Sequence, residues 1–229
     1  MRRKILRLLF VRIPFWTILA SLALVTLLKW VPVRYTPLML KRAFQFRSVE
    51  NYHSEQEWVS LEDFSPELIK AVVASEDNRF FQHRGFDWKE VDKMLREHRE
   101  EGKALRGCST ISQQTSKNVF TFGSRTWIRK ANEAYWTALI ELIWGKRRIL
   151  EVYLNVAETG PGLYGMEAAS RHYFGTGSAD LGRKQAVALS VCLPSPLKTS
   201  PGDTDAFTRK RRKQVYALIR KLNYPTWVG

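Results

Sequence analysis

The chain has 229 residues, with 37 Lys and Arg against 22 Asp and Glu and a formal charge of +15. A hydrophobic fraction of 45% supports a packed core and excludes a disordered basic tail, and the length allows one ordinary domain plus an accessory segment. The charge points to a polyanionic partner (nucleic acid, an acidic lipid surface or a phosphorylated substrate) and excludes none of the three.

Residues 13–28, IPFWTILASLALVTLL, carry no charge. As a helix the run is shorter than the roughly 20 residues that a bilayer needs. Residues 8–11 and 30–33 can extend it, with Arg12 and Lys29 snorkelling outward. Arg2, Arg3, Lys4, Arg7 and Arg12 precede it, which places the N-terminus in the cytoplasm and the rest outside. Ala20, Ser21 and Ala23 lie inside the apolar run and no small-residue cleavage site follows it. An uncleaved anchor is therefore favoured over a cleaved signal peptide. The resulting organisation is a cytoplasmic basic tail over residues 1–12, a transmembrane anchor over 13–33, a connector over 34–58 and a globular domain over 59–229.

The connector is polar and aromatic without a clean period. Ser65-Pro66-Glu67 is a helix start: a hydroxyl cap, a proline in the first turn and an acid at the positive end. Leu68, Ile69, Val72 and Val73 follow at helical spacing. Thr110-Ile111-Ser112-Gln113 has capping-box spacing. Residues 125–144 read as one long helix with Ala131, Ala134, Ala138 and Leu142 on one stripe. Residues 149–155 add an amphipathic helical piece after Gly145, and residues 178–192 another, stopped by Pro194 and Pro196. Residues 208–222 form a basic amphipathic helix with Val215, Leu218, Ile219 and Leu222 inward. Strand signals are scarce, so the fold class is mainly α. Cys108 and Cys192 make no disulfide framework, and each sits in a stretch that reads as buried.

Leu68, Val72 and Glu76 are spaced by four, so Glu76 continues the apolar stripe of its helix. A carboxyl group there is desolvated, its pKa rises, and it suits proton transfer. The competing reading is a helix-end acid that fans out into solvent. Asp77 reads as a cap or ion-pair partner. His83 reads as a hydrogen-bonded structural residue, with nothing of metal-ligand spacing near it. Glu133 lies one turn after Arg129 and Lys130. Such a cluster is an ion-paired helix face or, with Lys117 and Arg125, an anion site.

Four stretches carry a resemblance. They are EDNRFFQHRGFD at residues 76–87, GCSTISQQ at 107–114, RKANE at 129–133 and KRRILEVYLN at 146–155. In order and spacing they resemble the signature motifs of the bacterial peptidoglycan glycosyltransferases, over roughly residues 60–196. The chain leaves no room for a transpeptidase domain, so it resembles the monofunctional, membrane-anchored members. Cys108 departs from the pattern, standing where the second motif usually has a second glycine.

The resemblance implies a lysozyme-like helical glycosyltransferase domain. Its reaction would polymerise lipid II into glycan strands, with release of undecaprenyl pyrophosphate and inversion at the anomeric carbon. It makes Glu76 the general base and Glu133 an assistant at the donor site, with a divalent cation, Mg2+ or Mn2+, at the pyrophosphate. It assigns substrate binding to Asp77, Ser109, Thr110, Gln113, Gln114, Lys117, Arg125, Arg129 and Lys130. The implied partners are lipid II, the growing strand, membrane lipids and cell-wall synthesis or division proteins, with no nucleic acid. The implied location is the cytoplasmic (inner) membrane, single-pass, with the catalytic domain periplasmic. Val119, Phe120, Phe122, Trp127 and Ile128 read either as an interfacial patch that receives lipid or as ordinary packing. Two other classes stay open: a membrane-anchored lysozyme-like glycan hydrolase, and a non-catalytic cell-wall scaffold using the basic run at residues 209–213.

Overall fold

The computed structural model of the chain describes residues 11–49, 52–105, 107–122 and 126–228. The basic tail up to Phe10 and Arg125 lie outside the described residues. Helix α1 (Ile13–Leu28) stands at the N-terminus, and α2 (Pro37–Gln45) follows it. The helical domain comprises α3 (Pro66–Glu76), α4 (Trp88–Glu101), α5 (Ile111–Phe120), α6 (Trp127–Ile143) and α7 (Gly145–Val156). It continues with α8 (Met166–Phe174), α9 (Arg183–Ser190) and α10 (Ala206–Ile219). Three short strands, β1 (Glu55–Gln56), β2 (Glu158–Gly160) and β3 (Leu163–Tyr164), form a sheet of order β1-β3-β2. In it β3 runs parallel to β1 and antiparallel to β2. The mainly α expectation holds.

Several boundaries differ from the sequence expectations, each for a visible reason. Helix α1 ends at Leu28, so residues 30–33 do not extend it. Among the described residues no helix is long and apolar enough to cross a membrane. The connector is not structureless: Thr36 caps α2 by accepting from Met39 N–H, and Pro37 starts the helix. Residues 178–192 are not one helix. Ser178–Asp180 makes a 3-10 turn, the chain extends at Leu181 and Gly182, and α9 starts afresh. Gln185 seals that start by accepting from Gly182 N–H. Ser65 occupies the cap position of α3, but its hydroxyl donates to the Leu181 carbonyl instead.

Helix α3 is the most apolar part of the core, with Leu68, Ala71 and Val72 fully buried, and it packs on α9 and α10. Helix α5 packs on α6 and α7. The expected stripe of α6 faces outward: Ala131, Ala138 and Leu142 are exposed, while Glu133, Thr137, Ile140 and Trp144 are buried. The reason lies in α5, which meets α6 with small hydroxyl residues. Ser116 donates to the Glu133 carbonyl and shares a hydrogen bond with Thr137. A polar seam between two helices needs polar groups on both sides. The loop before α4 comes close to α6 only because Gly85 (φ +86°) has no Cβ, which would meet Thr137 Cγ2 at 2.9 Å.

Helix α1 is docked on the domain. The Trp144 indole N–H donates to Val25 O at 2.7 Å, and Ser21 and Tyr135 share a hydroxyl hydrogen bond. Arg148 donates to Leu28 O at 2.8 Å and Val31 O at 2.6 Å, at the negative end of α1. Cys192 is buried, its thiol donating to the Ala188 carbonyl, and Cys108 is half-buried against Met94 Sδ at 3.3 Å.

Candidate active site

A cleft of about 600 Å3 opens beside α3, α5 and α6. Glu76, Gln114, Lys117 and Glu133 line it, together with Ser109 and Gln113. Glu76 closes α3 at the end of its buried stripe, as the spacing of Leu68 and Val72 predicts. Burial pushes the carboxyl group up to about 7, against the opposing effects of Gln114 and Arg211, with Asp77 adding slightly. Gln114 Nε2 donates to Glu76 Oε2 at 2.8 Å. Glu76 Oε1 is buried and has no hydrogen-bond partner among the described residues.

The amide of Gln114 is itself fixed. The Tyr153 hydroxyl, on α7, donates to Gln114 Oε1 at 3.2 Å, which points the amide N–H toward Glu76. On the other side Arg211 lines the cleft and donates to the Ser75 carbonyl at 2.7 Å. Among the described residues Glu76 is therefore held by Gln114 alone and flanked by residues of two further helices. Such a carboxyl group can take a proton near neutrality.

Glu133 lies deeper, 2% exposed. Its Oε2 accepts from Arg129 at 2.7 Å and its Oε1 from Lys130. The acid thus gathers two cations at one end of the cleft. Lys117, one turn beyond Gln113 on α5, lines the same cleft, and its ammonium group makes no hydrogen bond or ion pair among the described residues. Desolvation lowers its pKa, and Glu133 and Glu158 oppose that shift. Fixed cations beside an enclosed carboxyl group can stabilise a departing anionic group while a proton is removed elsewhere. Two cations already share the single acid there, so the residues gathered at Glu133 do not make a divalent-cation site by themselves.

The other expected site residues divide into two groups. Ser109 and Gln113 line the cleft. Thr110 is the cap of α5: its oxygen accepts from Gln113 N–H, its own N–H donates to Gln113 Oε1, and its hydroxyl donates to Gly85 O at 2.6 Å. Asp77 turns away from the cleft. Its carboxylate lies 3.0 Å from His83 Nε2 and accepts from Ile111 N–H at 3.0 Å. Chain spacing hides that Asp77, His83 and Asp87 come within 4.8 Å of one another, a geometry that could hold a metal ion. Asp87 is already paired with Arg79 and caps α4 through Glu90 N–H, so the cluster serves as a staple of the first motif. Arg129 and Lys130 reach the cleft through Glu133.

Sequence reasoning missed Arg42, Glu158, Tyr153 and Arg211 as cleft residues. Arg211 was legible only as part of a basic run. In the structure Arg209, Arg211 and Arg212 donate to the backbone carbonyls of Thr204, Ser75 and Pro201, so the run braces the fold. On the surface, Phe122, Trp127 and Ile128 are 66%, 90% and 83% exposed. Val119 is instead buried and Phe120 stacks on Trp136 at 4.4 Å.

Residues 43–220 match the family model described as Transglycosylase. A protein of Ectopseudomonas mendocina named biosynthetic peptidoglycan transglycosylase is 43% identical over 242 residues, covering 98% of this chain and 96% of the relative. Proteins of the same name are 45% identical in Rhodospirillum centenum, over 89% of this chain and 87% of the relative, and 43% identical in Bacteroides thetaiotaomicron, over 87% and 81%.

Proposed function

The chain belongs to the transglycosylase family, and from that membership we propose that its cleft polymerises lipid II into peptidoglycan glycan strands. The observation that carries the reading is one cleft holding an enclosed carboxyl group of pKa about 7 and a cluster of cations built on Glu133. The first suits a base, the second a pyrophosphate leaving group.

In this reading the sugar hydroxyl of an incoming lipid II gives its proton to the Glu76 carboxylate. The hydroxyl oxygen forms a bond to the anomeric carbon of the growing strand. The bond to undecaprenyl pyrophosphate breaks, and the electron pair leaves with the pyrophosphate. One displacement inverts the anomeric centre. Lys117 meets the developing charge directly, and Glu133 holds Arg129 and Lys130 where they reinforce it. Gln114 keeps Glu76 Oε2 occupied, so the substrate hydroxyl supplies the missing partner of Oε1.

The lipid carrier gives α1 its purpose. An apolar run at residues 13–28 behind a basic N-terminal flank supports a single-pass anchor in the cytoplasmic membrane, with the domain on the outer side. The exposed Phe122, Trp127 and Ile128 then sit where the carrier enters.

The test is purified full-length protein with labelled lipid II, with and without Glu76→Gln, products resolved by size. High-mass glycan from the wild type alone supports the reading. Intact substrate binding without polymer favours a scaffold, and shortening of preformed glycan a hydrolase.

A further inference from the structure

The far wall of the cleft is built by a pair that no motif contains. Helix α2 packs on α5 and turns Leu38 and Arg42, four residues apart, toward the cleft. Glu158, the first residue of β2, meets Arg42 there. Arg42 Nε donates to Glu158 Oε1 at 2.7 Å and Nη2 to Oε2 at 2.9 Å, a two-pronged contact. The third nitrogen, Nη1, donates to Gln45 Oε1 at 2.8 Å. The side chains are 20% and 9% exposed. Hydrogen bonding to Glu158 is the main cause that raises the Arg42 pKa.

This pair differs from the Glu133 cluster in its charge. At Glu133 two cations meet one acid, and Lys117 adds a third positive charge nearby. At Glu158 one cation meets one acid, and every nitrogen of the guanidinium is engaged. A phosphate brought to that wall meets a guanidinium already held at all three nitrogens and a carboxylate that repels it. Each Glu158 oxygen keeps a further lone pair, already oriented by Arg42, which suits a hydroxyl donor.

We propose that Arg42 and Glu158 form a substrate-contacting pair that receives a sugar hydroxyl of the lipid-linked substrate and makes no contact with its phosphates. The inference rests on the transglycosylase reading of the cleft. It gives α2 a part in recognition: the segment that joins α1 to the domain supplies one wall of the sugar site.

The test measures binding of two probes to the full-length protein in lipid nanodiscs: lipid II, and undecaprenyl pyrophosphate, which lacks the sugars. The variants are Glu158→Gln and Arg42→Met, each checked by its melting temperature. Loss of one charged hydrogen bond is expected to weaken lipid II binding about tenfold and leave undecaprenyl pyrophosphate binding unchanged. Equal weakening of both probes would make Arg42 a phosphate ligand and overturn the proposal. Unchanged binding of lipid II by folded variants would make the pair purely structural and overturn it as well. Should Arg42→Met unfold, Arg42→Lys keeps the charge without the two-pronged contact, and the same split between probes is expected. Failure of the wild type to bind lipid II would instead sink the reading of the cleft itself.

Discussion

Gln114 gives its amide N–H to Glu76 at 2.8 Å, and its carbonyl is pinned in turn by the Tyr153 hydroxyl. The direction of that amide decides whether Glu76 meets a donor or an acceptor. In Tyr153→Phe the amide is released to flip and place its oxygen against the carboxyl group. The expected result is a base whose pKa rises and a turnover roughly tenfold lower at neutral pH. A pH profile of kcat tests this: loss of rate without movement of the acidic limb would reduce Tyr153 to packing.

Wild-type polymerisation should rise with pH through about 7, because Glu76 must lose its proton to act as a base. Its folded pKa lies above the ordinary value of 4.5. Below 4.5 the carboxyl group is neutral in folded and unfolded chains alike. Between 4.5 and 7 the unfolded chain ionises first, and stability falls. Above 7 the folded protein carries a buried charge. Glu76→Gln should therefore stabilise the fold above pH 7, by up to about 3 kcal/mol, and do nothing below pH 4.5. Thermal melts at pH 4 and 8 check both arms, and polymer formation by the same variant should fall at least 100-fold.

Glu133 and its cations should respond asymmetrically. Glu133→Gln leaves two partly exposed cations that water can solvate, so stability should change by about 1 kcal/mol or less while turnover drops on the order of 100-fold. The double variant Arg129→Met with Lys130→Met strips both hydrogen-bonded cations from a buried carboxylate and should cost about 3 kcal/mol. Chemical denaturation of both proteins makes the comparison. Equal costs would show that Glu133 is better solvated than its 2% exposure implies.

Cys108 should prove incidental. It is not among the residues lining the cleft, whereas its neighbours Gly107 and Ser109 are. Restoring glycine with Cys108→Gly is expected to change kcat by no more than about twofold. A larger effect in labelled lipid II turnover would make its contact with Met94 part of the loop's function.

The sequence made some of this site legible, and the reasons differ by residue. Glu76 could be found because a four-residue stripe carries its own geometry: Leu68 and Val72 are buried, and the third member must follow. Thr110 and Gln113 could be found because a capping box is local. Arg42 could not, although Thr36-Pro37 has the same hydroxyl-proline form that marks α3 at Ser65-Pro66. Its helix is nine residues long and buries only Met39, too little to show a period. Glu158, Tyr153 and Arg211 meet their partners across 116, 39 and 136 residues, distances at which no spacing rule operates. The stripe of alanines on α6 does not say which face of the helix is buried. The true seam with α5 is polar, and hydropathy is silent about it.

Arg148 should be measurable as a fastener. Arg148→Ala removes the contacts to Leu28 O and Val31 O and should lower stability by about 1–2 kcal/mol. Spin labels on α1 and α6 should show one sharp distance in the wild type and a broad one in the variant. A sharp distance in both would leave Trp144 and Ser21 as the working contacts.

That fastening has a consequence for how polymer leaves the protein. A leash would let the cleft turn freely relative to α1. With α1 bolted to the helix that carries Glu133, the cleft keeps one heading relative to α1, like the die of a spinneret. Whatever holds α1 therefore also holds the direction in which the cleft opens.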